Sequence, residues 1–312
     1  MKPTILFMGT PDFAIPSLKI LSDSMYPVLG VVTQPDKPKG RGRKLVSSPV
    51  KDYAATANIP VYQPDRVRDE RFLETLREIA PQMVVLVAFG QILPASIIEF
   101  PHLGCINVHP SLLPKYRGAA PINWAIIRGE KKTGVTIMLM DEGMDSGDIL
   151  LQEETEIDDS ETFDQLHNRL SKMSAQLLLK AVENIAAGTI TRTTQNPSLA
   201  TLAPKITDET RRIDWKAPSR KIVNLIRGLS STPGAYTLFK GKKLKIFVVA
   251  GEEISTNGIH GELYARQKEG TIRVTAGDGY IYIKELQLEG KKRMKTGDFL
   301  RGYHISPGDV VE

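Results

Sequence analysis

The chain has 312 residues, 41% hydrophobic and 25% charged, an ordinary balance for a soluble globular protein and a length that predicts two domains. A single cysteine excludes an intramolecular disulfide framework and fits a reducing, cytoplasmic setting; the run Ile5–Met8, broken by Gly9, Pro11 and Pro16, is too short for a secretory leader core or a membrane span. The net charge of +5 is unevenly placed: residues 1–204 carry 21 Lys/Arg against 23 Asp/Glu, and residues 205–312 carry 20 against 13, so a polyanionic partner is expected for the second part.

Taken in chain order, short apolar runs alternate with helical periodicity. Strands are predicted at Thr4–Gly9, Val28–Thr33, Met83–Ala88 and Cys105–His109; their near-continuous apolar character matches a parallel sheet covered on both faces. Helices are predicted between them at 12–23, 47–57, 69–79 and 120–128. This alternation describes an α/β domain with a doubly wound, mostly parallel sheet, which binds ligands beyond the carboxyl ends of its strands. Strands Val135–Asp141 and Ile149–Ile157 follow, joined by a hairpin-like excursion, and then a long helix from Glu161 to Ala187 that ends at Gly188, with His167 on its polar face. Residues 189–205 mix Pro, Thr, Ser and Asn without periodicity and read as a linker between a domain at 1–188 and another at 206–312. After a helix at Ser219–Leu229, five short strands, Ala235–Phe239, Lys243–Ala250, Gly261–Arg266, Thr271–Thr275 and Tyr280–Leu286, predict a small all-β, OB-like barrel. His260, Tyr280 and Tyr282 are expected in its core rather than stacked on bases.

The chemistry concentrates at the end of the fourth strand. Side chains two apart on a strand share a face, so Asn107 and His109 converge, with Cys105 in register below them. An amide beside an imidazole is a donor pair suited to an oxygen that becomes negative during acyl transfer. Both are expected at a solvent-facing strand end. Asp145, in the glycine-flanked run Gly143-Met144-Asp145-Ser146-Gly147, is the best-placed carboxylate to fix the imidazole or to take a proton through water. Cys105 sits among apolar residues and is expected to be inert. The scattered histidines predict no metal site, His102 and His304 have no partner legible in sequence, and the absence of GxGxxG and GxxxxGK[ST] patterns argues against a nucleotide-dependent enzyme. A separate cluster, Lys37, Lys39, Arg41, Arg43 and Lys44, with Gly40 and Gly42 interspersed and Asp36 as its only nearby acid, predicts a mobile loop that meets phosphate.

The block from Asn107 to Gly118 together with Asp145 resembles the formyltransferases that use 10-formyltetrahydrofolate. The start Phe7-Met8-Gly9-Thr10-Pro11-Asp12-Phe13, the segment from Gln34-Pro35-Asp36-Lys37 to Pro49-Val50-Lys51, and Arg212-Ile213-Asp214-Trp215 with Ser231-Thr232-Pro233-Gly234-Ala235-Tyr236 are similar to the methionyl-tRNA formyltransferases among them. The resemblance spans essentially the whole chain and implies a formyltransferase-type Rossmann-like domain followed by an OB-like tRNA-binding domain. It implies 10-formyltetrahydrofolate as formyl-donor cosubstrate, methionyl initiator tRNA as acceptor, no metal and no membrane, in a protein expected to be a monomer. By the same resemblance Asn107, His109 and Asp145 are catalytic; Phe89, Gly90, Gln91, Ile92, Ser111, Leu112, Leu113 and Pro114 meet the folate; and Lys37, Lys39, Arg41, Arg43 and Lys44 meet the tRNA, with Arg41 matching the key arginine. Rival readings are another user of the same donor, acting on glycinamide ribonucleotide or an amino sugar, a formyltetrahydrofolate hydrolase, and an RNA-binding module without catalysis. The basic loop and basic tail disfavour the rival enzymes, and the Asn107, His109, Asp145 set disfavours the last.

Overall fold

A computed structural model describes residues 2–39, 44–256 and 258–312. The chain divides into two compact units: residues 1–118, 133–156 and 167–203 form the first, and residues 119–132, 157–166 and 204–312 form the second.

In the first unit, strands β1 (Ile5–Gly9), β2 (Val28–Val32), β5 (Val61–Tyr62), β6 (Met83–Val87), β7 (Cys105–His109), β8 (Lys132–Leu139) and β9 (Ile149–Glu156) make one seven-stranded sheet in the order β5-β2-β1-β6-β7-β8-β9. A short antiparallel pair, β3 (Lys37–Lys39) and β4 (Lys44–Val46), stands apart from it. The pairs from β5 through β7 are parallel, and β8 runs antiparallel to β7. Every residue of β1, β6 and β7 is buried, as expected for strands covered on both faces. Chain order reverses direction about β1, which places the topological switch between β1 and β6 and any ligand crevice beyond their carboxyl ends. The loops there are tied together: Thr10 Oγ1 donates to the Phe89 carbonyl at 2.8 Å and accepts from the Gln34 amide at 3.4 Å.

The predicted helix over 12–23 divides into a single 3-10 turn, Asp12–Ala14, and α1 (Ile15–Ser22), because Pro16 supports a new helical start but not a helix interior. Helix α2 (Pro49–Thr56) is capped by Ser48, whose Oγ accepts from the Lys51 amide. Helix α3 (Glu70–Ile79) buries Phe72 and Leu76, and the short α4 (Ala95–Ile98) buries Ile97 and Ile98, in the core that also holds Leu6, Met8, Val84 and Cys105. Helices α5 (Pro121–Ile127) and α6 (Phe163–Ala187) complete the series before residue 188.

In the second unit, α7 (Asp208–Arg211) and α8 (Ser219–Gly228) precede β10 (Ala235–Phe239), β11 (Lys242–Glu253), β12 (Leu263–Arg266), β13 (Thr271–Thr275), β14 (Gly279–Leu288), β15 (Met294–Lys295) and α9 (Thr296–Gly302). The strands form an antiparallel sheet in the order β10-β11-β14-β13-β12, with β15 on β14. The C-terminal residues bridge both edges, Val311 to Phe239 of β10 and Val310 to Glu262 beside β12, and so close the sheet into the expected small barrel. Ile246, Ile272, Ile281, Ile283 and Phe299 fill it, and Ile222 and Ile226 of α8 join the same core. Tyr280 and Tyr282 alternate with buried Ile281 and Ile283 and therefore face outward, contrary to the core placement predicted for them; His260 is exposed. The Arg273 guanidinium lies 4.4 Å from the Tyr264 ring and 4.3 Å from the Tyr280 ring.

Candidate active site

Three elements bring the polar groups together. Strand β7 ends with Asn107 and His109 on one face; the turn after it reverses through Tyr116 and Gly118; and the loop between β8 and β9 presents Asp145. The Asp145 carboxylate is the centre. Its Oδ2 accepts from the Gly118 amide at 2.8 Å and lies 3.6 Å from His109 Nδ1, while Oδ1 lies 3.5 Å from Asn107 Nδ2. The Gly118 amide thus fixes the carboxylate at normal hydrogen-bond length and two longer contacts link it to the donor pair, a spacing that lets both donors tighten on a third oxygen.

His109 Nε2 is 2.9 Å from the Tyr116 carbonyl. Oxygen acceptors therefore face both ring nitrogens; a neutral imidazole donates to one of them, an imidazolium to both. Asn107 and His109 are buried, at 7% and 4% exposure, rather than solvent-facing as predicted, because residues 116–118 are folded back and pinned. Tyr116 N donates to Thr201 Oγ1, Arg117 N to the Thr201 carbonyl, and Ala203 N to the Arg117 carbonyl. Gly118, at φ +116°, is packed so tightly that a Cβ there would come within 2.9 Å of the Ala203 carbonyl oxygen.

The Asp145 loop is equally constrained. Asp145 itself holds φ +50° and Tyr116 φ +63°, left-handed conformations that cost a non-glycine residue free energy and persist where surrounding contacts impose them. Asp141 accepts from the Ser146 hydroxyl and the Gly143 amide, cinching the loop at its mouth. Gln195 was invisible to sequence reasoning, lying in a stretch read as a linker. Its Nε2 donates to the Asp145 and Gly147 carbonyls, and its Oε1 accepts from Arg117.

The segments matched to folate lie in the same unit. Phe89 is in the core and Ser111 is fully buried, with its hydroxyl on the Lys115 carbonyl, so neither offers an exposed side chain. Gln91 holds the 65–67 segment, accepting from Val67 N and donating to the Asp65 carbonyl. Gly90, at φ +88°, has open space where a Cβ would stand, and Ile92 is 93% exposed. Leu113 is buried and is joined to Pro114 by a cis peptide, while Leu112 is half-buried.

Of the basic cluster, Lys37, Lys39 and Lys44 lie in the antiparallel pair β3 and β4, with Lys37 opposite Val46 and Lys39 opposite Lys44, where a loop was predicted. Arg41 and Arg43, and the side chains of Lys39 and Lys44, lie outside the described residues. Among the described residues, Asp36 is engaged by groups outside the cluster. Gln63 and Lys51 hydrogen-bond to it at 2.8 and 2.7 Å at the hairpin's base, and together they hold its carboxyl below the usual range.

Cys105 is buried in the core, and burial pushes its thiol up to about 12, which removes the thiolate a nucleophile would need. His167 packs edge-on against Phe13 at 5.1 Å with Asp12 4.0 Å away, rather than on an open polar face. Among the described residues no His, Cys, Asp and Glu cluster could hold a metal, and no helix is long and apolar enough to cross a membrane.

Comparison with known proteins adds to this geometry. Residues 1–182 match the family described as formyl transferase, and residues 205–304 match the formyl transferase C-terminal domain. The chain is 54% identical to the methionyl-tRNA formyltransferase of Syntrophus aciditrophicus, with 99% of each chain covered, and 47% identical to that of Pelobacter propionicus, with 99% of this chain and 96% of the relative covered. Among solved structures, the fold is similar to WlaRD, a sugar 3N-formyl transferase solved in the presence of dTDP and 5-N-formyl-THF, at TM-score 0.67 and 21% identity over 94% of this chain and 100% of that one. It is also similar to HypX from Aquifex aeolicus in complex with tetrahydrofolic acid, at TM-score 0.66 and 19% identity over 98% of this chain and 49% of that one.

Proposed function

Because the chain belongs to the formyl transferase family, we propose that it transfers the formyl group of 10-formyltetrahydrofolate to the α-amine of methionine carried by initiator tRNA, the reaction named for its relatives. The observation that carries this reading is the convergence of Asn107 Nδ2 and His109 Nδ1 on the Asp145 carboxylate, at 3.5 and 3.6 Å, beside the carboxyl end of β7.

The chemistry follows from those groups. A neutral amine is nucleophilic without activation and forms the new N–C bond by attack on the formyl carbon. The formyl oxygen becomes an oxyanion, which Asn107 and His109 stabilise by donating N–H groups. Asp145 takes the proton from the attacking nitrogen, directly or through water, and the C–N10 bond breaks as N10 of the departing tetrahydrofolate regains a proton. Asp145 also sets the orientation of His109. No covalent intermediate with Cys105 is required.

The pterin meets the main chain of residues 89–92 and the apolar side chain of Ile92, and the donor's formyl end is steered by the main chain of Ser111 and Leu113 and by the part-exposed Leu112 and Pro114. The tRNA acceptor end meets the hairpin through Lys37, Lys39, Arg41, Arg43 and Lys44. Residues 1–188 act as the catalytic domain and 206–312 as the tRNA-docking domain of a cytoplasmic monomer, with 189–205 connecting them and packing, up to Ala203, with the first compact unit. Formation of N-formylmethionyl-tRNA from charged initiator tRNA tests the reading, with the Asp145→Asn enzyme as the control. Equal product from that variant would overturn it.

A further inference from the structure

We propose that Gln195 is a positioning residue for Asp145, holding the carboxylate in place through a closed ring of hydrogen bonds. The proposal rests on the catalytic reading of Asp145 above. Gln195 is 5% exposed and uses both ends of its amide. Nε2 donates to the carbonyl of Asp145 itself at 2.9 Å and to that of Gly147 at 2.7 Å, gripping the loop on both sides of Ser146. Oε1 accepts from Arg117 Nε at 3.2 Å and from one terminal nitrogen of the same guanidinium at 2.7 Å. Arg117 is followed by Gly118, whose amide hydrogen-bonds the Asp145 carboxylate at 2.8 Å.

The ring therefore runs from the Asp145 carbonyl through Gln195 and Arg117 to Gly118, and returns to the Asp145 carboxylate. It constrains the backbone and the side chain of one residue together. That constraint has work to do, since Asp145 is held at φ +50° and its contacts with Asn107 and His109 are long enough that a small displacement would lose them. A guanidinium on Oε1 fixes which end of the amide faces the loop, because only the NH2 end can donate to the two carbonyls. The adjoining residues extend the brace: Thr201 and Ala203 hold Tyr116 and Arg117, and the Tyr116 carbonyl faces His109 Nε2. Residues 195–203 thus act on the site and do not merely span between domains.

The test is single-turnover formylation by the full chain with saturating substrates, using Gln195→Met, which keeps the volume but loses both ends, and Gln195→Glu, which keeps the Arg117 partner but turns oxygens toward the two carbonyls. Each lowers kcat by about 10- to 100-fold, the effect of a misplaced catalytic group, while KM for donor and for tRNA stays within about threefold. A structural role alone would not produce the second readout: in the Asp145→Asn background, Gln195→Met causes no further loss, because the group it positions is already gone. An equal further loss in that background, or near wild-type kcat in a folded Gln195→Met enzyme, overturns the proposal for Gln195 alone. Full activity of Asp145→Asn would overturn the catalytic reading beneath it, so the two failures are distinct.

Discussion

Asn107 and His109 sit on one strand face and within reach of one carboxylate, and the proposed mechanism assigns each of them as a separate donor to the same developing charge. Replacing either with Ala is expected to lower single-turnover kcat by about a hundredfold or more, the usual cost of an oxyanion donor. Asp145→Asn is expected to be similarly severe, with folate and tRNA still bound in equilibrium titrations. Burial adds a second consequence. His109→Ala removes the buried hydrogen bond between the imidazole and the Tyr116 carbonyl, so thermal unfolding should show a loss of about 1 kcal/mol beside the kinetic defect. Cys105 behaves oppositely. Its folded pKa, about 12, lies above that of an unfolded cysteine, so its contribution to stability is intact below about pH 9 and declines as pH rises toward 12. Cys105→Ser is expected to retain formylation and native Cys105 to resist alkylation at pH 8. Cys105→Ala should show a shallower alkaline loss of stability than the parent, and an equal slope in the two proteins would contradict the assignment.

At the scale of elements, the buried strands were legible because burial on both faces leaves continuous apolar runs, as in Met83–Val87 and Cys105–His109. The juxtaposition of Asn107 and His109 was legible from strand alternation, and the structure brings Asp145, singled out by its flanking glycines, to within 3.6 Å of both. The hairpin of β3 and β4 was not, since Lys-Pro-Lys and Lys-Leu-Val show no period-two pattern. Nor was the segment around Gln195, whose side-chain amide reaches the Asp145 carbonyl and the Arg117 guanidinium, 50 and 78 residues away, a pairing that no local sequence pattern marks. The same brace explains why Asn107 and His109 proved buried. For the hairpin, Arg41→Ala is expected to impair formylation of initiator tRNA far more than turnover with a small amine acceptor. Arg41→Lys keeps charge but loses the planar fork of donors, and should recover only part of the rate if Arg41 positions the acceptor end. Full rescue by Lys would reduce it to a generic cation, and an unaffected Arg41→Ala enzyme would leave the hairpin without that role.

Across the whole molecule, the charge is unevenly divided, with 20 Lys/Arg against 13 Asp/Glu in residues 205–312 and near balance before them, which suits the docking of tRNA proposed for that part. Binding of tRNA by the full chain should therefore weaken by about tenfold or more between low and physiological salt, as cations that displaced phosphate counterions are screened, while KM for the folate changes little. Salt-independent tRNA binding would remove the electrostatic docking role. The central claim joins that docking to one reaction at Asp145. It is tested most directly by single-turnover formation of N-formylmethionyl-tRNA from 10-formyltetrahydrofolate and charged initiator tRNA, comparing the parent enzyme with Asp145→Asn and with charged elongator tRNA in parallel. The account predicts rapid product on initiator tRNA with the parent enzyme, little on elongator, and a loss of about a hundredfold or more with Asp145→Asn; no product on initiator tRNA, or an undiminished rate with Asp145→Asn, would contradict it.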